Sequence, residues 1–492
     1  MTITLNDSSL LRSDAFIAGE WSYADSGAHF EVCNPADGAL IATVPDLTKA
    51  ETARAVEAAS VAFATWRAET ADHRAEVLQR WYDMIRSAEE DLATILCAEQ
   101  GKPLTEARGE IAYGASFIKW FAEEARRVYG DVIPGPSADK RLVVLKQPVG
   151  VVGAITPWNF PVAMITRKAA PALAAGCPII IKPAEETPLS ALALAVLAER
   201  AGVPKGVFSV VPCSRKNAPS IGEELTQNSK VRKLSFTGST EVGKILAGSS
   251  ATNVQKISLE LGGNAPFIVF KDADLDAAVE GAIQAKFRNM GQTCVSANRF
   301  LVQEDIVQRF EHELIKRVSK LKVGPGAEEG SDQGPLINSA AVEKVEALVA
   351  DALANGAKIA CGGRRHSLGG RYFEPTVLNG VNPEMQIVRE EIFGPIVAIQ
   401  TFKTDRDAVE LANDTDYGLA AYFFSRDITR VWRIAEALET GMVGINTGAI
   451  STASAPFGGI KQSGLGREGS KYGLDEYLET KYLAFGGLDT GY

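Results

Sequence analysis

The chain has 492 residues, of which 46% are apolar and 23% charged, and its formal net charge is −10. This composition is typical of a globular protein with two or three domains, and it excludes the disordered and fibrous classes. The negative charge argues against nucleic acid as the main partner, because phosphate backbones are bound by concentrated Lys and Arg side chains.

Targeting and metal-binding signals are missing from the sequence. The N-terminus lacks a basic start followed by an apolar stretch, and no apolar run approaches the ~18 residues of a membrane-spanning helix. The six cysteines form no C-x-x-C pair, and the four histidines are far apart. We therefore expect a soluble, cytoplasmic protein with reduced thiols, no bound metal and no membrane partner.

The first half of the chain begins with predicted helices. Residues 51–128 contain amphipathic runs, one of which ends at Gly101, a residue suited to stopping a helix. Residues 128–150 instead predict two strands around a turn rich in Pro, Gly and Ser. We interpret this second segment as a protruding hairpin.

From residue 149 onward strands and helices alternate, which is typical of a doubly wound parallel sheet. Thr187 before Pro188 predicts a helix start, because the hydroxyl can cap a free amide and proline suits the first turn. A second α/β series follows Leu259, and we place a domain boundary near residue 262. The tail is rich in glycine and ends in the strand-like segment YLETKYLAF, whose open edges favour docking on another subunit.

Residues 236–243 (FTGSTEVG) predict a strand end followed by a helix start, where free amides and the helix dipole favour a phosphate group. The segment from Gly238 to Lys244 also fits most of the P-loop pattern of nucleotide hydrolases. Position 245 is Ile, however, where a P-loop needs Ser or Thr to hold magnesium. On its own the segment leaves two interpretations open, a dinucleotide phosphate site and a simple turn.

Three residues are candidates for chemistry. Cys294 lies in a loop of small and polar residues, unlike Cys97 and Cys177, and partial exposure in polar surroundings favours a reactive thiol over an inert buried one. Glu260 ends a predicted strand, and the two glycines after it allow close backbone approach. Asn159, held between prolines, offers a neutral amide donor on a stiff loop. A surface glutamate and a turn-forming asparagine remain the ordinary alternatives.

Seven segments in order resemble the aldehyde dehydrogenase superfamily. They are PWNFP (157–161), KPAEETP (182–188), FTGSTEVG (236–243), LELGGNAP (259–266), GQTCVSANR (291–299), EEIFGP (390–395) and PFGGIKQSGLGREG (456–469). In MITRKAAPALAAGC, KFRNMGQTC, INTGAIS and GREGSKYG the chain is most similar to succinate-semialdehyde dehydrogenases. The stretch IFGPIVAI is closer to general aldehyde dehydrogenases.

The resemblance implies a reaction. Cys294 would attack the aldehyde as a thiolate, and the Asn159 side chain with the Cys294 backbone amide would stabilise the oxyanion. Glu260 would activate the water that hydrolyses the thioester. No metal is implied, and a catalytically silent structural homologue is disfavoured because all three residues are present.

The resemblance also implies binding residues for the cofactor and the substrate. The implied cofactor residues are Thr156, Pro157, Trp158, Lys182, Glu185, Gly238, Ser239, Gly243 and, on the nicotinamide ribose, Glu391. Glu185 would accept from the adenosine ribose and repel the extra phosphate of NADP, so we predict NAD over NADP. Arg167, Arg288 and Ser451 match the residues that bind the substrate carboxylate in succinate-semialdehyde enzymes. Glutarate semialdehyde is the alternative substrate, because one methylene changes discrimination by only ~1 to 3 kcal/mol.

The resemblance also implies a domain architecture, and the chain differs from some members of the subfamily at one position near the nucleophile. A Rossmann-type NAD(P) domain would occupy residues 1–127 and 150–261, an α/β catalytic domain 262–463, and a small β oligomerisation element 128–149 and 464–492, with a homodimer or homotetramer as the assembly. Some members of the subfamily form a regulatory disulfide with a second cysteine two positions after the nucleophile. That position is Ser296 here, so we predict no such disulfide.

Overall fold

The computed structural model describes residues 3–488, which form five sheets and the helices packed on them. The strands are β1 (Ala15–Ile17), β2 (Glu20–Ser22), β3 (His29–Cys33), β4 (Leu40–Pro45), β5 (Asp131–Pro134), β6 (Arg141–Pro148), β7 (Val151–Ile155), β8 (Ile179–Lys182), β9 (Phe208–Val210), β10 (Val231–Thr237), β11 (Lys256–Glu260), β12 (Ala265–Val269), β13 (Ala297–Gln303), β14 (Lys358–Cys361), β15 (Thr376–Asn379), β16 (Ile396–Phe402), β17 (Tyr417–Gly418), β18 (Ala420–Phe424), β19 (Met442–Ile445), β20 (Ile460–Lys461), β21 (Gly464–Leu465) and β22 (Leu478–Phe485).

The α-helices alternate with these strands over most of the chain. They are α1 (Lys49–Trp66), α2 (Ala71–Ser87), α3 (Glu89–Gln100), α4 (Leu104–Glu124), α5 (Pro161–Ala175), α6 (Pro188–Arg200), α7 (Ala218–Gln227), α8 (Thr240–Ser250), α9 (Leu275–Phe287), α10 (Val307–Val318), α11 (Ser339–Ala354), α12 (Gln386–Arg389), α13 (Asp405–Asn413), α14 (Ile428–Ala437) and α15 (Ser470–Asp475). Within the described chain, no helix is long and apolar enough to cross a membrane.

The first large sheet has the strand order β2-β1-β9-β8-β7-β10-β11-β21. Its five central strands, which lie in the order β9, β8, β7, β10 and β11, are parallel. The chain runs outward from β7 to β9 on one side and from β10 to β11 on the other. The sheet therefore has a topological switch point between β7 and β10, and open α/β sheets bind ligands at the carboxyl ends of the strands beside such a point.

The second large sheet has the order β14-β15-β16-β13-β12-β18-β19 and is parallel except for β14. Its first core strand, β12, follows β11 of the first sheet after only four residues, 261–264. The predicted boundary near residue 262 falls in this link. Because β11 ends where β12 is about to start, the carboxyl edge of the first sheet faces the amino edge of the second.

A small third sheet, β22-β6-β5, is antiparallel and stands apart from the other two in strand pairing. It contains the predicted hairpin and the predicted C-terminal strand, so the two segments do associate. The division into domains stays a prediction. Strand β21, which the sequence assigned to the oligomerisation element, pairs with β11 of the first sheet, and residues 1–2 and 489–492 lie outside the described chain.

Helix α6 begins at Pro188 as predicted, but the predicted cap is wrong. The Thr187 hydroxyl is buried without a hydrogen-bond partner among the described residues. The free amides of Leu189 and Ser190 instead donate to the two carboxylate oxygens of Glu99, each at 2.8 Å. A distant carboxylate on α3 thus replaces the local hydroxyl, because it satisfies two amides and favours the positive end of the helix dipole.

Candidate active site

The nucleophile loop connects α9 to β13 through a sharp turn. Asn289, Met290 and Gly291 all have left-handed backbones, with φ angles of 52°, 59° and 72°. A side chain at Gly291 would place its Cβ 2.2 Å from the carbonyl oxygen of Gly394. Left-handed non-glycine residues are unfavourable and persist only where surrounding contacts hold them, so this turn is fixed by its neighbours rather than by local preference.

Cys294 is half-buried at the end of that turn, as its polar loop predicted. Its surroundings do not favour the thiolate, however. Burial raises the pKa of the Cys294 thiol to about 12, and the carboxylates of Glu391 and Glu260 act in the same direction against Arg167 and Arg288. The thiol therefore carries little thiolate near neutral pH, and any reaction of its sulfur requires the proton to leave.

Glu260, the second candidate for chemistry, is a buried carboxylate. It ends β11, is 3% exposed, and has one carboxylate oxygen, Oε2, without a hydrogen-bond partner in the described chain. Burial raises its pKa well above the ordinary value, the carboxylate of Glu468 raises it further, and the cations Arg167 and Lys168 lower it. A carboxylate made more basic in this way is suited to general-base catalysis near neutral pH.

Arg167 and Lys168 form a buried ion cluster with Glu468. The Arg167 Nε lies 2.6 Å from Glu468 Oε2, and the Lys168 ammonium pairs with Glu468 Oε1. The Arg167 guanidinium also lies 3.9 Å from the centre of the Phe457 ring, and its Nη2 has no partner among residues 3–488. Arg167 is thus held by the charge of Glu468, while its Nε and Nη2 make no hydrogen bond of good geometry within residues 3–488.

Asn159 lies directly beside the nucleophile loop. Its side-chain Nδ2 donates to the carbonyl oxygen of Gln292 at 3.0 Å, two residues before Cys294. An amide nitrogen carries two hydrogens, so one remains for another acceptor. Asn159 is 4% exposed, and water has little access to that hydrogen.

The substrate-side residues Arg288 and Ser451 line one cavity of about 380 Å³, next to Thr293 and Val295 on either side of Cys294. Arg288 is exposed, packs over the Phe160 ring at 5.0 Å, and has no carboxylate of residues 3–488 within 4.0 Å. Arg167 is not part of this wall. Three residues were predicted to bind the substrate carboxylate. The structure places two of them, Arg288 and Ser451, in one cavity, and the third, Arg167, in the buried ion cluster.

The predicted cofactor residues meet at the switch point of the first sheet. Ile155 at the end of β7 is in register with Lys182 and Phe236, and Thr237 is in register with Glu260. The loops that carry Thr156, Pro157 and Trp158 on one side and Gly238 on the other therefore leave the same edge. Lys182 Nζ lies 3.5 Å from Glu185 Oε2 beside them.

The loop from Gly238 to Gly243 is a strand–turn–helix segment, as predicted. The Ser239 hydroxyl caps α8 by accepting from the Val242 amide at 3.3 Å. A Cβ at Gly243 would lie 2.4 Å from Leu261 Cδ2, so a larger residue there would require the Leu261 side chain to move. The hydroxyls of Thr156 and Thr237 are buried without partners in the described residues, which suits them to a polar ligand at this edge.

Glu391 lies beside the link between β11 and β12. Its Oε1 accepts from the Gly263 amide at 3.1 Å, and burial raises its pKa to about 7. A Cβ at Gly262 would come within 3.0 Å of Glu391 Oε2, and one at Gly263 within 2.5 Å of the Cys294 carbonyl oxygen. The two glycines after Glu260 thus allow the close backbone approach that the sequence predicted.

Four residues of the site were missed by the sequence interpretation. Glu468, Lys168 and Phe457 lie around Arg167. Lys286 is buried, its ammonium has no hydrogen-bond partner among residues 3–488, and burial lowers its pKa to about 7. One signal was available: Arg167 and Lys168 are adjacent cations in the apolar helix α5, and buried cations require a carboxylate partner. The local sequence does not identify which carboxylate is that partner. Among residues 3–488, no cluster of His, Cys, Asp and Glu has the composition of a metal site.

Comparison with known sequences gives one family. Residues 21–483 match the model of the aldehyde dehydrogenase family. A 3-sulfolactaldehyde dehydrogenase of Pseudomonas putida is 59% identical, with 99% of this chain and 100% of the relative covered. A glutarate-semialdehyde dehydrogenase of Pseudomonas aeruginosa is 57% identical over 98% and 100%, and a succinate-semialdehyde dehydrogenase [NADP(+)] of Escherichia coli is 58% identical over 98% and 99%.

Solved structures give the same result for the fold. A succinate-semialdehyde dehydrogenase from Burkholderia pseudomallei superimposes with a TM-score of 0.96 at 62% identity, over 98% of this chain and 99% of that one. The predicted architecture, a Rossmann-type domain joined to a second α/β domain, is therefore confirmed.

Proposed function

This chain belongs to the aldehyde dehydrogenase family, and from that premise we propose that it oxidises succinate semialdehyde to succinate with a nicotinamide dinucleotide, through a thioester on Cys294. The overall change is aldehyde, oxidised cofactor and water to carboxylate, reduced cofactor and two protons. The cofactor supplies one thing when bound, an acceptor for the hydride that leaves the substrate carbon.

The observation that carries the substrate proposal is the free guanidinium of Arg288. It faces a cavity that also contains Ser451 and the two neighbours of Cys294. The Glu106 carboxylate of the same wall interacts with its charge, but no carboxylate among residues 3–488 lies within 4.0 Å of it. A guanidinium fork matches a carboxylate geometrically and electrostatically. A short aldehyde with a terminal carboxylate could hold its anionic end on Arg288 while its carbonyl reaches Cys294.

In the acylation half, the Cys294 sulfur bonds to the aldehyde carbon as its proton leaves to solvent water. The developing oxyanion receives the free Nδ2 hydrogen of Asn159 and the backbone amide of Cys294. Preorganised donors of this kind stabilise charge only when it forms, which is why they lower the barrier. Loss of hydride from the same carbon leaves the thioester.

In the deacylation half, Glu260 takes a proton from the attacking water. The carbon–sulfur bond then breaks, the carboxylate product forms, and the sulfur leaves as thiolate. The raised pKa of Glu260 makes proton transfer from water more favourable than it would be for an ordinary glutamate.

The residues at the switch point suit a dinucleotide. Lys182 can donate to ribose hydroxyls, and Glu185 can accept from the adenosine ribose but repels a ribose phosphate. We therefore propose NAD over NADP as the preferred cofactor. NADP is the second candidate, because the Escherichia coli relative bears it in its name.

The cofactor proposal is tested by kcat/KM with each dinucleotide. Wild type should favour NAD, and Glu185→Gln should move the ratio toward NADP by about 5- to 10-fold, since one partly screened charge is removed. A wild-type ratio that favours NADP would show that Glu185 does not act in this way.

The substrate proposal is tested by Arg288→Ala with two aldehydes. We expect kcat/KM for succinate semialdehyde to fall about 10- to 100-fold, the worth of one charge-assisted hydrogen bond, with hexanal nearly unaffected. Arg317→Ala, which changes another arginine of the same cavity wall, serves as the control. Equal losses for both aldehydes in Arg288→Ala would refute the assignment.

Two other substrates share the same recognition chemistry. Glutarate semialdehyde is one methylene longer, and a sulfonate such as that of 3-sulfolactaldehyde also accepts hydrogen bonds from a guanidinium; relatives named for each are about as similar as the succinate-semialdehyde relative. The highest kcat/KM in a panel of these three aldehydes identifies the substrate, and succinate semialdehyde is the expected result.

We also propose a homodimer or homotetramer and a cytoplasmic location. The third sheet exposes large apolar side chains, among them Val132, Tyr482 and Phe485 at 76%, 58% and 47% exposure, which a second copy would cover. All six cysteines are unpaired, as expected in a reducing compartment.

A further inference from the structure

Asn289, five residues before the nucleophile, has a side chain that the reaction proposed above does not use. It is 2% exposed and has a left-handed backbone with φ 52°. Asparagine is among the few residues that tolerate this conformation. Its side chain contacts the Asn159 carbonyl, the Gln292 carbonyl of the nucleophile loop, and Gln100 at the end of α3.

Two of these contacts join the nucleophile loop to the loop of the oxyanion donor. Asn289 Nδ2 donates to the backbone carbonyl of Asn159 at 3.0 Å and to that of Gln292 at 3.3 Å. The Gln292 carbonyl is the same oxygen that accepts from the Asn159 side chain at 3.0 Å. One carbonyl thus binds the amide groups of both asparagines.

The other contacts hold Asn289 itself. Its Oδ1 accepts from Gln100 Nε2 at 3.0 Å, and its backbone amide donates to the Glu106 carboxylate at 2.9 and 3.1 Å. Gln292 closes the turn by donating to the Asn289 carbonyl from both its backbone and its side chain. The left-handed turn is therefore anchored to α3 and α4 rather than free to relax.

Lys102 holds the Asn159 loop from the opposite side. Its ammonium donates to the Asn159 carbonyl at 2.7 Å and to the Glu110 carboxylate at 2.6 Å. Glu110 in turn accepts from the amides of Val162 and Ala163 at the start of α5. The Asn159 backbone is therefore clamped between a buried ion pair and the Asn289 amide.

We propose that Asn289 is a positioning residue for the oxyanion donor. By binding the carbonyls of Asn159 and Gln292 together, it fixes the free Nδ2 hydrogen of Asn159 relative to the backbone amide of Cys294, so that both point at the same oxygen. The inference rests on the proposed role of Asn159 as oxyanion donor. Without Asn289, the Asn159 amide can still donate a hydrogen bond, but its position relative to Cys294 is no longer fixed.

A double-mutant cycle tests this inference. Four proteins are compared by kcat/KM for succinate semialdehyde at saturating cofactor: wild type, Asn289→Gly, Asn159→Ala and the double variant. Glycine is used because it keeps the left-handed turn without strain. We expect Asn159→Ala to lower kcat/KM about 100- to 1,000-fold and Asn289→Gly about 10- to 100-fold, the usual cost of a misplaced catalytic group.

The decisive result is the double variant. If Asn289 acts through Asn159, the double variant is within about threefold of Asn159→Ala, because residues that act as a unit are not additive. Losses that multiply, or an Asn289→Gly enzyme within about threefold of wild type, would overturn the inference while leaving the proposed function intact. An Asn159→Ala enzyme as active as wild type would instead remove the proposed oxyanion role, and the inference with it.

Two further variants separate positioning from folding. Asn289→Ala removes the same amide but strains the turn, so it should lower the unfolding temperature more than Asn289→Gly while giving a similar kcat/KM. Met290→Leu changes the neighbouring left-handed residue, whose side chain is buried and apolar, at nearly constant volume. It should stay within about threefold of wild type, and cofactor binding should be unchanged in all variants.

Discussion

The acid–base behaviour of the site depends on what surrounds the Glu260 carboxylate. Burial and the Glu468 carboxylate raise its pKa, and Arg167, Lys168 and Arg467 lower it. Glu468 acts in two ways, since it repels a second negative charge and neutralises two of the cations that would favour it. Removal of the Glu468 charge should therefore lower the pKa of Glu260.

The first prediction is a shift in the pH profile. In Glu468→Gln, the acid limb of kcat should move to lower pH, because Glu260 then stays ionised, and able to accept a proton, in more acidic solution. Hexanal is the substrate of choice, because it is uncharged and its binding does not depend on a carboxylate of its own. The profile is read from cofactor absorbance at pH values from mildly acidic to mildly alkaline.

Glu479→Gln, an exposed change on β22, is the control for this profile. Its acid limb should coincide with that of wild type. An acid limb that stays in place, or moves to higher pH, in Glu468→Gln would contradict the role assigned to this carboxylate.

The second prediction concerns oxidation of the nucleophile. Ser296 stands two positions after Cys294, is buried, and donates to the Lys286 carbonyl at 3.4 Å. A hydroxyl cannot capture an oxidised thiol as a disulfide. Peptide mapping after peroxide treatment should therefore find no intramolecular disulfide to Cys294, and detection of one would refute the prediction.

Single residues were predictable where their local sequence is unusual. Cys294, Glu260 and Asn159 each stand within three residues of a Gly or Pro. The structure places Asn159 against the nucleophile loop and the charge of Glu260 close enough to affect the Cys294 thiol. The partner of Arg167 and Lys168 was not predictable, because Glu468 is 300 residues away in sequence from Lys168. The raised pKa of Cys294 was missed for the same reason, since it depends on burial and on Glu391.

At the scale of elements, the link between β11 and β12 joins the two sheets and brings the base to the nucleophile. The third prediction is that Gly263→Ala lowers kcat/KM by about 100-fold, because its Cβ would lie 2.5 Å from the Cys294 carbonyl oxygen and move the loop. Gly248→Ala is the matched control, since nothing lies within 4 Å of that position in α8. Activity of Gly263→Ala equal to that of the control would contradict this account of the link.

Long elements followed from sequence, and short ones did not. Helices α1 to α6 and the central strands have clear apolar periodicity, and they form near the predicted positions. Strands β1 to β4 were not predicted, although β1 pairs with β2 and β3 with β4 close by in sequence. Strand β21 has only two residues and depends on the distant strand β11 for its hydrogen bonds. The cap of α6 failed in the same way, because Glu99 reaches it from another helix.

At the scale of the whole molecule, the third sheet offers an apolar face to another copy. The fourth prediction is that Val132→Lys combined with Tyr482→Lys reduces the molar mass measured by light scattering after gel filtration, because charges in an apolar interface are costly to bury. Val61→Lys, an equally exposed apolar residue on α1 at 69% exposure, should leave the mass unchanged. A monomeric wild type, or an unchanged mass in the double variant, would contradict the proposed assembly.

The strand order of the large sheets also belongs to this scale. Alternating strands and helices predicted parallel sheets, but several orders are compatible with that alternation. The order β9-β8-β7-β10-β11 creates the switch point, and it results from packing of the whole chain. The resemblance to a known family supplied what periodicity could not.

The proposed reaction depends on a covalent bond between the substrate and Cys294. The most direct test is intact-protein and peptide mass spectrometry of acid-quenched Glu260→Gln enzyme after mixing with succinate semialdehyde and NAD. Because the variant lacks the base for hydrolysis, we predict accumulation of a succinyl adduct on the peptide that contains Cys294, and no adduct in Cys294→Ala. An enzyme that turns over without any acylated Cys294, or a Cys294→Ala variant with normal activity, would contradict the central claim.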